Sequence, residues 1–77
     1  MSGYQYTIIL YPDPEQGGYT VTVPALPGCV TEGETLEEAI AMAKEAIQLY
    51  VESLLADGEP VPVEHERPQA IVINVAA

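Results

Sequence analysis

A helix whose two ends are both marked limits this chain more than any other feature. Thr35 stands at an N-cap position with Glu38 three residues on, the T-x-x-E capping box in which a hydroxyl and a carboxylate satisfy amides left open by a first turn. Gly58 suits the left-handed position just past a helix end, and Pro60 prevents resumption. A helix is therefore expected from Leu36 to about Ala56. In a chain of 77 residues little room remains for anything but one sheet to cover it, which makes the fold class α+β.

At 100° per residue, Leu36, Ile40, Ala43, Ile47, Tyr50, Val51 and Leu54 share one stripe of that helix, and Glu37, Lys44, Glu45, Gln48 and Glu52 lie opposite. One face is expected to pack and the other to be wet. Tyr4 to Tyr11 is rich in aromatic and β-branched residues and predicts a first strand. The stretch Pro12 to Gly18 is a dense turn signal and predicts a hairpin loop. Tyr19 to Val23 alternates in the manner of a half-buried strand, Pro24 to Gly28 forces a second reversal, and Cys29 to Glu32 supplies a short third strand. After a polar connector from Glu59 to Gln69, Ala70 to Val75 predicts a last strand, with Ile71, Ile73 and Val75 on one face.

The expected architecture is a single domain over residues 1–77, two-layer β-β-β-α-β. One long helix covers a mostly antiparallel four-stranded sheet. A right-handed crossover would set the last strand parallel to the first, in an order near 3-2-1-4. A chain this short buries only about 60% of its unfolded surface, so its stability is expected to lean on subunit contacts. Met42 and Leu49, flanked by Ala39, Ala46 and Ser53, form a second apolar ridge outside the packing stripe and are the expected oligomer contact, in a dimer or tetramer. The uncovered sheet face, with Gln5, Thr7, Ile9, Tyr11, Thr20 and Thr22, is a second surface open to association.

Twelve acidic residues against two basic ones, Lys44 and Arg67, give a formal net charge of −10. Direct nucleic-acid binding is disfavoured, because nothing here neutralises a run of phosphates. A basic protein partner would instead be attracted and steered. No apolar run approaches the roughly 18 residues of a membrane span, and Met1 to Leu10 lacks the basic start of a signal peptide. Cys29 is the only cysteine, so no disulfide forms within the chain and a reducing, cytoplasmic setting is expected.

No catalytic constellation emerges. His65 lies between Glu64 and Glu66, but adjacent residues diverge, and a solvated connector histidine accounts for it better than a metal ligand. Cys29 has no positive neighbour in sequence to lower its thiol pKa and fits a small core residue. Glu37, Glu45 and Glu52 fall on the outer helix face. Gly33 precedes a helix N-terminus, but Glu32, Glu34, Glu37 and Glu38 would repel an anion there. Catalytic, metal and cofactor sites are all expected to be absent, as in a binding module.

The run Gly18-Tyr19-x-Val21-x-Val23-Pro24-x-Leu26-Pro27-Gly28-Cys29-x-Thr31-x-Gly33-x-Thr35-x-x-Glu38-Ala39, continued by Ala43, Glu45, Ala46, Tyr50, Gly58, Pro60 and Pro62, resembles HicB-like antitoxins over roughly residues 4–63. The resemblance implies a protein that binds a small basic ribonuclease of HicA type and masks the site with which it cleaves messenger RNA. The candidate partner contact is Pro24, Leu26, Pro27 and Gly28, in a loop that a rigid strand-to-strand turn also explains. Ala25 stands where the family often has Asp, which removes a charged contact from that loop. Fuller members append a helix-turn-helix or ribbon-helix-helix segment; this chain stops at Ala77, and operator binding is not expected of it. The alternative expectation is a stand-alone homo-oligomer with a structural or regulatory role and no toxin partner. A third is a metal-binding or small-molecule-binding domain using His65 and nearby carboxylates.

Overall fold

The computed structural model describes residues 3–77. Three strands and one helix follow in order: β1 (Ile9–Pro12), β2 (Tyr19–Thr22), β3 (Val30–Gly33) and α1 (Leu36–Ala56). The strands form one antiparallel sheet in the order β1-β2-β3, with Leu10 opposite Val21 and Val21 opposite Thr31. Pro12 pairs opposite Tyr19 at the edge of that sheet, where a residue without an N–H is tolerated.

The helix begins and ends where its caps dictate. The Thr35 hydroxyl accepts the Glu38 N–H at 3.0 Å, and the Glu38 carboxylate reaches back to the N–H of Glu34 at 2.8 Å. Glu38 thus serves the amide one residue before the cap, a variant of the usual box in which it serves the cap itself. At the far end Gly58, with φ of 69°, lets its N–H reach the Leu55 carbonyl and the Glu59 N–H reach that of Leu54, a Schellman closure.

α1 packs chiefly on β3 and secondarily on β2. The contact is centred on alanines. Ala39 and Ala43 are buried with Val21, and a second cluster joins Val23, Leu26 and Cys29 to Tyr6, Ala46, Ile47 and Tyr50. Gly33 makes this approach possible: a Cβ there would lie 2.6 Å from the Ala39 Cα, backbone that cannot turn aside. Ala43, Ile47, Tyr50, Val51 and Leu54 of the expected stripe are buried or half-buried, and in the first turns the contact shifts to Ala39. Leu36 and Ile40 remain about half exposed.

The expected four-stranded β-β-β-α-β sheet in the order 3-2-1-4 is not formed. The sheet has three strands and the order of elements is β-β-β-α, while Ala70 to Val75 lies outside it, with Ile71 71%, Val72 98% and Ile73 72% exposed. The connector explains this. Its Pro62 carbonyl, Glu64 carboxylate and Arg67 guanidinium bond to Tyr6, Thr7 and Gln5 respectively. Those bonds fix the connector on the segment before β1 and send the chain outward. A period of two specifies a face to be buried; it does not supply a neighbouring backbone. The α+β class itself holds, and the projecting arm raises the radius of gyration to 14.7 Å, above the about 11.5 Å of a compact chain of this length.

Candidate partner-binding site

The turn between β2 and β3 is a rigid platform. Leu26 N–H bonds to the Val23 carbonyl at 2.9 Å, Cys29 N–H to Leu26 at 3.0 Å, and Val23 N–H to Cys29 at 3.2 Å. Leu26 is wholly buried, and the Tyr50 hydroxyl donates to the Pro27 carbonyl at 2.8 Å, tying the turn to α1. Pro24, Pro27 and Gly28 are consequently presented to solvent. Of the four candidate contact residues, these three lie on the surface and Leu26 anchors them from below. Cys29, closing the turn, is buried, and burial pushes its thiol pKa up, away from the nucleophilic thiolate.

At the other end of β2, about 13 Å away for a four-residue strand, the first hairpin loop and the β3–α1 junction enclose a polar cleft of about 570 Å³. Asp13, Glu32, Glu34 and Glu38 line it with Gly17 and Gly18. The Asp13 carboxylate also accepts the N–H groups of Glu15 and Gln16, which braces the loop. No basic side chain lines this cleft. The four carboxylates therefore make it an anionic mouth that repels phosphate and attracts cationic groups.

The connector carries a carboxylate with three hydrogen-bond donors. Glu64 accepts the Thr7 hydroxyl at 2.6 Å, the Thr7 N–H at 2.8 Å and Arg67 at 2.8 Å, with only 4% of its side chain exposed. The Thr7 hydroxyl and then its amide lower the Glu64 pKa against the opposing effect of desolvation, and Arg67 adds to the lowering. In the sequence Glu64 stands out only as a neighbour of His65. Its pairing with Thr7, 57 residues away, left no local pattern to read. Tyr6, stacked on Tyr4 with ring centroids 6.4 Å apart, has its phenol pKa raised by burial first and by Tyr4 and Glu64 next. His65 is exposed, and among the described residues no group of three His, Cys, Asp or Glu side chains gathers to hold a metal ion. Met42 and Leu49 are 39% and 61% exposed. Among the described residues no helix is long and apolar enough to cross a membrane.

The sheet of this small α+β domain thus carries a braced turn at one end and an anionic mouth at the other. Residues 6–74 match the HicB-like antitoxin of bacterial toxin-antitoxin systems, and the chain belongs to that family. It is 52% identical over 58 residues to a UPF0150 protein of Thermoplasma acidophilum, covering 75% of this chain and 83% of that one. A UPF0150 protein of Synechocystis is 49% identical over 61 residues, 79% of this chain and 76% of that protein. Antitoxin HicB of Escherichia coli is 37% identical over 59 residues, which span 77% of this chain and 42% of that longer protein.

Proposed function

We propose that this chain is an antitoxin domain, extending over residues 1–77, that acts in the cytoplasm by binding a basic, HicA-type ribonuclease and masking the site with which it cleaves messenger RNA. The observation that carries the reading is the family match across residues 6–74. The net charge of −10 supports it physically. A ribonuclease surface shaped to hold RNA is cationic, and an acidic domain competes for it. Asp13, Glu32, Glu34 and Glu38 steer the approach, and the exposed Pro24, Pro27 and Gly28, held up by Leu26, make the fitted contact. Binding, not catalysis, is the role.

Co-expression with the small basic reading frame beside its own tests this directly. Co-elution and relief of RNA cleavage are expected; separate elution with cleavage undiminished would reject the reading. A second reading, a homo-oligomer of dimer or tetramer size without a toxin, draws on the exposed Met42 and Leu49 ridge. If that ridge holds subunits together, Met42→Glu with Leu49→Glu yields monomers by light scattering; an unchanged mass removes the ridge from the interface.

A further inference from the structure

An apolar groove of about 580 Å³ runs between the segment before β1 and α1, along the side of the sheet that β1 leaves open. Tyr6, Ile8, Ile40, Ala43, Ile47 and Val51 line it, and Lys44 and Glu52 stand among its polar lining residues. It exists because α1 lies over β3 and β2, so that the helix residues beyond them have no strand beneath. The same molecule carries an unused apolar segment. Ile71, Ile73 and Val75 alternate along the arm at 71%, 72% and 77% exposure, spaced as one face of a strand.

We propose that this groove receives the Ala70–Val75 segment of a second copy of the chain, and that the exchange is reciprocal. Three observations favour a second copy. The connector is fixed to Gln5, Tyr6 and Thr7, and Pro68 then holds its own φ while confining Arg67 to extended backbone. With this hinge the arm stays out of its own groove, which no residue beyond Glu52 lines, in a structure 50 Å long but only 27 and 24 Å across. A stiff, short hinge of this kind favours exchange between copies over folding back. Charge agrees: two chains of net charge −10 repel, but residues 68–77 carry no charged side chain and approach a groove whose two charged lining residues, Lys44 and Glu52, balance. The pattern is also self-complementary, as a two-fold contact requires, since every chain offers one arm and one groove. This assignment is independent of toxin binding and places the subunit contact at the arm, apart from the Met42 and Leu49 ridge.

Two full-length variants test it. Light scattering on the parent chain is expected to give a dimer or a multiple of one, and Ile71→Asp with Ile73→Asp should reduce it to monomer with unchanged helical circular dichroism, because both side chains are exposed in the single chain. A monomeric parent overturns the proposal, and so does a dimer that survives these substitutions. A chain carrying both Ile40→Cys and Ile73→Cys separates exchange from folding back. Mild oxidation is expected to give a covalent two-chain product, the parent thiol of Cys29 being buried. A single-chain species with an internal disulfide, or no crosslink, would contradict exchange while leaving the toxin-binding reading untouched.

Discussion

The β2–β3 turn and the C-terminal arm both rest on proline-bearing, partly apolar sequence, yet they end in opposite conditions. In the turn, Val23, Leu26 and Cys29 interlock with Ile47 and Tyr50, and three backbone hydrogen bonds close a reversal of a few residues. In the arm, Glu64 fastens the connector by polar bonds, and the apolar residues beyond it touch nothing that hides them. The difference is one of partners close in sequence. The turn finds its backbone acceptors within six residues, whereas the arm needs a strand edge and a helix face that its own hinge directs it away from. Apolar alternation alone therefore says that a segment will be covered, and the geometry of its connection decides by what.

Leu26 carries the largest expected effect. Truncation to Ala in a wholly buried site is expected to cost about 3 to 4 kcal/mol of unfolding free energy, a large part of the total for a domain this small. Denaturant titration reads it, and a loss below about 1 kcal/mol would mean that the turn is not the anchored region described. Thr35→Ala removes the hydroxyl that accepts the Glu38 N–H and should cost about 1 kcal/mol in the same experiment.

Smaller and confined to acid is the effect of Glu64→Gln. Because hydrogen bonds depress the folded pKa of this carboxyl, its contribution is complete above the unfolded value of about 4.3 and disappears as pH falls through the lower folded value. The variant should flatten the fall in stability below about pH 4.3; a parent and a variant with parallel acid slopes would show that the clamp does not hold the connector. Least of all, Val72→Ala, at a side chain 98% exposed, should move unfolding by less than about 0.5 kcal/mol. A larger loss would place Val72 under cover and erase the contrast between the two regions.

What the sequence disclosed follows the same division. Both helix ends were readable because Thr35, Glu38 and Gly58 act on amides within a few residues of themselves. The three hairpin strands were readable for a similar reason, with boundaries shifted by a residue or more; β1 starts at Ile9, not Tyr4, because the residues before it engage the connector instead of β2. The shift of the first helical turns onto Ala39 was not legible. Hydrophobicity ranks Leu36 and Ile40 above Ala39, whereas the close approach at Gly33 selects the smaller side chain. Nor could the Thr7–Glu64 pair be found, since it joins two segments through one hydroxyl, one amide and one carboxylate. At the candidate site, the exposure of Pro24, Pro27 and Gly28 and the burial of Leu26 depend on the Tyr50 bond across 23 residues, and the motif specified the turn without specifying which of its residues face outward.

The most direct measurement is a calorimetric titration of a purified HicA-type ribonuclease, the proposed partner, into the full-length protein at low and at high salt. A saturable complex is expected, its affinity falling as salt rises, because an acidic domain competes for a cationic surface. No binding at low salt would contradict it.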